Sequence, residues 1–83
     1  MRVLYFAWLR QKVGTAEEEV SPPDGVRDVA GLIAWLATRS PAHAAAFADP
    51  RQVRAAVNQD FATLQDPVAA NDEVAFFPPV TGG

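Results

Sequence analysis

The chain has 83 residues, of which 49% are hydrophobic and 20% charged, and it contains no cysteine. This length allows one domain with one modest core. The absence of cysteine excludes disulfides, thiolate metal sites and a cysteine nucleophile. Ten acidic residues against seven basic ones give a net charge of −3. Because nucleic acids and anionic membranes are bound through basic clusters, we expect neither as a partner, and a partner with a basic surface fits better.

The N-terminal sequence carries no targeting signal that we recognise. Its apolar stretch is too short to cross a bilayer, and no small-residue cleavage site follows it. We therefore expect a cytoplasmic protein.

Residues 2–11 are apolar and rich in β-branched and aromatic side chains, which predicts a first strand. Strand alternation would divide these side chains between two apolar faces, with Val3, Tyr5 and Ala7 on one and Leu4, Phe6 and Trp8 on the other. Two apolar faces indicate either a strand covered on both sides or one that offers a face to a partner.

The next segments predict an edge strand and the main helix. After a turn at residues 12–15, residues 17–20 form a strand whose three glutamates face water. Apolar residues recur at helical spacing over residues 26–39, and Asp24 or Gly25 is the expected cap. Ser40 and Pro41 then begin a second, shorter helix that runs to about Phe47.

The remaining sequence predicts three short strands. These cover residues 53–57, 61–64 and 73–77, with a turn at residues 58–60 between the first two. The first and last strands of the chain are apolar enough to be central and paired. One strongly amphipathic helix with five strands indicates an α+β domain in which a sheet packs on a helix.

The side chains show no pattern of an active site. His43 is the one histidine, and we expect it to be exposed on the second helix. One histidine without cysteine cannot form a typical metal site, so no metal is predicted. The acidic residues lie in turns and at an edge rather than in spaced pairs, and the glycines do not form a phosphate loop.

The C-terminal end is the remaining candidate. Pro78 and Pro79 would stop the last strand, and Val80, Thr81, Gly82 and Gly83 follow. We expect a domain over residues 1–77 and an extended tail over residues 78–83. Such a tail reaches about 20 Å, and its glycines can thread a narrow cleft. A frayed terminus that happens to be rich in glycine is the alternative.

A terminal carboxylate suits acyl activation. It is ionised at neutral pH, with a pKa near 3.3–3.7, and is a poor electrophile. Conversion to a mixed anhydride with AMP supplies a leaving group, and attack by a sulfur nucleophile then gives a thiocarboxylate. Nothing in this chain could catalyse the adenylation of Gly83, so the activating enzyme must be a partner.

Three stretches of the sequence resemble the small subunit of molybdopterin synthase, a sulfur carrier of molybdenum-cofactor biosynthesis. They are the opening VLYFA with Arg10 and VGT, the middle AAVNQ, and the closing DEVAFFPPVTGG. Asn71 departs from the glycine that is usual in the family before the aspartate. Asparagine tolerates the left-handed backbone conformation, so the resemblance stands.

This resemblance implies a β-grasp, ubiquitin-like fold with a mixed sheet, and several partners. An adenylating enzyme related to ubiquitin-activating enzymes would activate Gly83 with ATP and magnesium, and a sulfur donor protein would form the thiocarboxylate. The large catalytic subunit would take up the tail and use the sulfur of two loaded carriers to build the molybdopterin dithiolene from cyclic pyranopterin monophosphate. The family forms a heterotetramer. This chain would bind no cofactor itself, and the catalytic side chains would lie on its partners.

The second apolar face then has a candidate role. If Val3, Tyr5, Val74 and Phe76 pack on the helix, an outward aromatic cluster remains, which on a small domain usually marks an interface. We expect Phe6, Phe61 and Phe77 to dock the partners, unless the minor helix and loops cover them. Arg10 is either a pairing residue for an acidic group of a partner or a plain surface arginine.

Two alternatives share the terminal chemistry. A related carrier would serve thiamine synthesis or tRNA thiolation, and a protein modifier would be conjugated to lysines. The closing string favours the synthase subunit over the first alternative. Lys12, the one lysine of the chain, leaves little room for building chains of a modifier.

Overall fold

The computed structural model describes residues 1–79. Its strands and helices occur in the order β1 (Arg2–Tyr5), α1 (Ala7–Val13), β2 (Glu17–Glu19), α2 (Val29–Ala37), α3 (Pro41–Ala46), β3 (Arg54–Val57), β4 (Asp60–Ala62) and β5 (Glu73–Phe77), with a 3₁₀ turn at Pro50–Gln52 before β3. Within these residues, none of the helices has the length and apolar character that a membrane span requires.

The five strands form one mixed sheet in the order β2-β1-β5-β3-β4. The central strands β1 and β5 are parallel, and the other neighbours are antiparallel. A mixed sheet packed on one main helix, α2, is the β-grasp arrangement, so the expected fold class is confirmed. Tyr5 pairs with Phe76, and Phe77 pairs with Arg54. The ends of β1 and β5 and the start of β3 therefore lie together, at what we call the tail end of the sheet.

Strand alternation divides the sheet into a core face and an open face. Val3, Tyr5, Val74 and Phe76 are all buried on the core face, as expected from the sequence. The helices complete this core with Leu9, Val29, Leu32, Ile33, Leu36 and Ala46. The alternate residues of the strands point away from the helices, and they form the open face: Arg2, Leu4, Glu17, Glu19, Arg54, Ala56, Phe61, Glu73, Ala75 and Phe77.

The first strand is shorter than predicted, and a helix follows it. The Phe6 N–H still donates to the carbonyl of Phe76 at 3.0 Å, but Ala7 has a φ of 55° and turns the chain out of the sheet. Helix α1 then buries Leu9 completely and ends at Gly14, whose left-handed conformation (φ 93°) lets its N–H bond to the carbonyl of Arg10. The prediction of one strand over residues 2–11 was wrong because strand and helix segments are both apolar here.

Helix α2 begins later and ends earlier than predicted. The cap is Asp28, whose side chain accepts a hydrogen bond from the Gly31 N–H at 2.7 Å, rather than Asp24 or Gly25. Asp28 can do this because its backbone is held in a bridge with Pro67, a contact that local sequence does not reveal. The prediction of Ser40 as the cap of the next helix is confirmed, since its Oγ accepts from the His43 N–H.

A tight hairpin joins β3 to β4. Asn58 and Gln59 have φ values of 51° and 73°, the left-handed pair of a type I′ turn. The Asn58 side chain bonds both Asp72 and the Glu73 N–H, which ties this turn to the start of β5. The turn was expected at residues 58–60, and β4 begins at Asp60, one residue before the predicted strand.

Candidate functional site

The tail was the main candidate of the sequence analysis. Gly83, the residue expected to react, lies outside the described residues, together with Val80, Thr81 and Gly82. Pro79 and the preceding proline are described, and both are half-buried after the end of β5. The division into a domain over residues 1–77 and a tail over residues 78–83 stays a prediction.

Two of the predicted interface aromatics meet on the open face. Phe61 of β4 and Phe77 of β5 are in edge-to-face contact, with ring centroids 5.9 Å apart. Phe61 is 85% exposed, and Phe77 is half-buried. Among residues 1–79, no helix or loop covers Phe61, so the alternative that these elements hide it does not hold for this part of the chain. We call Phe61 and Phe77 the aromatic pair.

Phe6 and Arg10 lie near the same end of the sheet. Phe6 directly follows β1, is 49% exposed, and is fixed by its backbone bond to Phe76. Because Tyr5 and Phe76 are in parallel register, Phe6 and Phe77 both leave the sheet at the tail end. Arg10 is exposed on α1. The structure thus places these residues at the surface, and their role in docking stays a prediction.

The aromatic pair borders a recess of about 340 Å³, whose other lining residues are Arg54, Ala55 and Ala62. A larger groove of about 510 Å³ adjoins it between α2 and the β3–β4 hairpin, and it shares Arg54 as a lining residue. Arg54 was not singled out from the sequence, where it is one of six scattered arginines. Only the register of β3 against β5 brings it beside Phe77.

A polar cluster lies between helix α3 and strand β2, which is the edge strand at the other side of the sheet from β4. This cluster corrects two expectations. His43 was expected to be exposed, and Glu18 to be solvated, but both are half-buried and bonded to each other at 2.8 Å through His43 Nε2. The same Glu18 oxygen accepts from the Tyr5 hydroxyl at 2.7 Å, while His43 Nδ1 lies 2.7 Å from Ser40 Oγ. Glu18 and His43 are 25 positions apart, and Tyr5 and Glu18 are 13 apart, so no local pattern predicts these two contacts.

The hydrogen bonds and the burial of this cluster shift the pKa values of Glu18 and Tyr5. Burial by itself would raise the pKa of Glu18, but the hydrogen bonds from His43 and Tyr5, with the charges of His43 and Arg39, outweigh burial and hold the pKa of Glu18 below its ordinary value. Burial, aided by the bond to the Glu18 carboxylate, raises the pKa of the Tyr5 hydroxyl. Glu18 is therefore an ionised acceptor at neutral pH, and the cluster joins strand β2 to helix α3.

Residues 1–79 contain no group of three or more carboxylates and histidines that could hold a metal ion. The serine and histidine of the cluster are in contact, but Ser40 Oγ also accepts from the helix backbone. This serine therefore caps α3.

Residues 3–83 of this chain match the sequence pattern of the ThiS family. The chain belongs to the ThiS family. Two curated relatives carry the name molybdopterin synthase sulfur carrier subunit, and each aligns with 100% of this chain and 99% of its own length. The relative from Escherichia coli (strain K12) is 42% identical, and that from Haemophilus influenzae is 33% identical. The family resemblance inferred from the sequence is thereby confirmed.

The chain is also similar to solved structures over nearly its whole length. A putative molybdopterin converting factor, subunit 1, from Pyrococcus furiosus superposes with a TM-score of 0.76 at 34% identity, over 95% of each chain. SAMP1 from Haloferax volcanii superposes with a TM-score of 0.74 at 29% identity, over 100% of this chain and 98% of its own. A second structure of the latter is described as small archaeal modifier protein 1.

Proposed function

We propose that this chain is the sulfur-carrier subunit of a molybdopterin synthase and that the carboxylate of Gly83 carries the sulfur. The observation that carries the proposal is the family match, which continues through Gly83 and includes full-length relatives of that name. The described residues add an independent argument, because they present exposed aromatics at the tail end of the sheet.

The proposed chemistry begins with activation by an adenylating partner. A Gly83 carboxylate oxygen attacks the α-phosphorus of ATP, magnesium-bound pyrophosphate leaves, and an acyl adenylate forms. A persulfide or sulfide sulfur from a donor protein then attacks the carbonyl carbon, and AMP leaves with the former carboxylate oxygen. If a persulfide attacks, the product is an acyl disulfide with the donor protein. A thiol then attacks the donor's sulfur, forms a disulfide with it, and releases Gly83 as a thiocarboxylate.

The proposed second stage takes place on the large subunit. The thiocarboxylate sulfur is transferred to cyclic pyranopterin monophosphate, and two loaded carriers supply the two sulfurs of the dithiolene. Hydrolysis returns Gly83 to a carboxylate. This chain contributes positioning, since Phe6 and the aromatic pair would dock the partner and Pro79 would begin the segment that enters its cleft. Use of ATP by the activating partner is consistent with the cytoplasmic location proposed for the chain.

Intact-mass spectrometry tests the proposal. The chain is incubated with an adenylating enzyme that activates carriers of the ThiS family, together with ATP, magnesium and a sulfur donor. We expect a mass gain equal to the exchange of one oxygen for sulfur. The matched control lacks Gly83 and should show no exchange. An unchanged mass for the full chain under conditions that load a known carrier would refute the carrier role. Addition of the large subunit and cyclic pyranopterin monophosphate then tests whether the sulfur acceptor is this precursor of molybdopterin rather than a thiamine precursor or a tRNA.

Protein modification is a second candidate, favoured by the structural likeness to small archaeal modifier protein 1. The same terminal acyl adenylate would then react with a lysine amine and release AMP, which forms an isopeptide bond. Tryptic peptides of cell extract that carry a C-terminal remnant of this chain on lysine would support it. The two candidates differ in their product, a thiocarboxylate or an isopeptide, so one mass-spectrometric experiment separates them.

A further inference from the structure

The open face of the sheet carries opposite charges at its two ends. Glu19 and Glu73 lie at the end where β1 and β5 begin, in register with Arg2. The charge of Arg2 is paired with Glu17, and the N-terminal ammonium lies 3.9 Å from Glu19, so Glu73 leaves this end acidic overall. Arg54 lies at the tail end, in register with Phe77. A strand rises about 3.3 Å per residue, so Glu73 and Phe77 stand about 13 Å apart along β5. The side chains between them, on the central strands, are apolar: Leu4, Ala56 and Ala75.

Arg54 differs from the paired arginines in its contacts. Arg2 bonds Glu17 through Nε at 2.7 Å, and Arg51 bonds Asp49 through Nε at 3.1 Å. Arg54 has no carboxylate within ion-pair distance among residues 1–79. Its Nη1 donates to the backbone carbonyls of Arg51 and Val53 at 3.1 and 3.2 Å, and its other guanidinium nitrogens make no hydrogen bond within this part of the chain.

These contacts prepare the guanidinium for recognition. Two backbone bonds hold one nitrogen, so less side-chain entropy is lost when the remaining N–H groups bind a ligand. The same side chain lines the recess beside Phe61 and Phe77. An aromatic pair next to an arginine has the composition of an interface hot spot. A partner that covers the pair must also cover Arg54, and desolvating this charge without a counter-charge is costly.

We propose that Arg54 is a charged anchor of the docking surface, and that the partner subunit places an Asp or Glu carboxylate against it at the rim of the recess that borders the aromatic pair. The inference rests on the proposed function, in which the large subunit binds this face. It reverses, at this end of the sheet, the expectation from net charge that the partner is basic. A basic group of the partner would instead face Glu19 and Glu73.

Opposite charges at the two ends also fix orientation. A partner with a carboxylate at one end and a cation at the other matches the open face in one direction, whereas a half-turn brings like charges together. In the matching direction, the end of β5 at Phe77 points to the partner's acidic group. Arg54 thus selects the docking direction as well as strengthening the contact.

The test compares Arg54→Glu with Arg27→Glu. Both variants change the net charge equally, but Arg27 is exposed near the other end of the sheet, where with Met1 it lines a separate recess. Association with the large subunit is followed by surface plasmon resonance at low and at high salt. At low salt we expect Arg54→Glu to slow association about tenfold and Arg27→Glu less than about twofold. Salt should reduce this difference by screening.

Arg54→Lys keeps the charge and should retain most of the association rate, which separates charge from any change in folding. Equal slowing by Arg54→Glu and Arg27→Glu, or by Arg54→Glu and Arg54→Lys, would overturn the inference. Failure of the unmodified chain to bind the large subunit would instead count against the proposed function. The two failures are therefore distinguishable in the same experiment.

Discussion

The adjacent residues Phe76 and Phe77 point to opposite faces of the sheet. Truncation of Phe76 should therefore reduce stability, whereas truncation of Phe77 should reduce binding. Phe76 is fully buried, with its ring centroid 5.1 Å from that of Phe47 and 6.4 Å from that of Tyr5. Phe77 is on the open face and contacts Phe61. We expect Phe76→Ala to destabilise the fold, and Phe77→Ala to weaken binding of the large subunit while leaving the domain folded.

The magnitudes follow from burial. Truncating a fully buried Phe costs about 3–5 kcal/mol of unfolding free energy, since apolar contact is lost and a cavity is left. For a domain of this size, that corresponds to a fall in Tm of roughly 15–30 °C. Truncating Phe77 removes an exposed aromatic contact worth about 1 kcal/mol. As a hot-spot residue it should cost about 2 kcal/mol or more of binding free energy, or roughly thirtyfold in Kd.

Thermal unfolding followed by circular dichroism measures the first effect, and calorimetric titration with the large subunit measures the second. Phe77→Asp extends the test, because a charge in the centre of the interface should abolish binding without unfolding the domain. A Tm for Phe77→Ala as low as that of Phe76→Ala would show that Phe77 belongs to the core. A folded Phe77→Asp variant that binds with unchanged Kd would refute its role in docking.

Three further predictions concern the scaffold. The lowered pKa of Glu18 means that its contribution to stability is present above its ordinary pKa and is lost as pH falls through the folded value; urea unfolding should therefore show a larger deficit for Glu18→Gln at pH 7 than at acid pH, and an equal deficit would contradict this. Gly14→Ala should cost about 1 kcal/mol because φ is 93°, whereas Gly25→Ala, where an added Cβ also meets nothing within 4 Å, should cost less; equal melting temperatures would refute the backbone argument. Asn58→Ala should cost about 1–2 kcal/mol in denaturant unfolding through the lost bonds to the Glu73 N–H and the Asp72 carboxylate. Asn58→Asp keeps the acceptor but sets a second carboxylate beside that of Asp72, so salt should reduce its loss of stability by screening, and a loss that salt does not change would contradict this reason.

Local sequence was sufficient to predict a structural feature where the residues that form it lie close together in the chain. The alternation of residues 73–77 assigned Val74 and Phe76 to the core and Phe77 to the open face. Ser40 and Pro41 marked a helix start because the Ser40 side chain and the His43 N–H that donates to it are three residues apart. The family itself could be inferred from the closing string of the sequence, which lies within the residues that match the ThiS family.

Local sequence failed where the deciding contact comes from elsewhere. Residues 2–11 are apolar throughout, and the change from strand to helix at Ala7 depends on how the chain leaves the sheet beside Phe76. Asp28 caps α2 because Pro67 holds its backbone. His43 meets Glu18 across 25 residues, so a histidine that looked exposed is half-buried.

The sequence by itself determined the family, the β-grasp class and the outward direction of Phe77, because strand period and the closing motif are properties of consecutive residues. Only the tertiary structure decided that Arg54 lies beside Phe77 and that Glu18 forms hydrogen bonds with Tyr5 and His43. Strand order and register bring these groups together, and both are set by packing of the whole sheet on α2 rather than by any one segment.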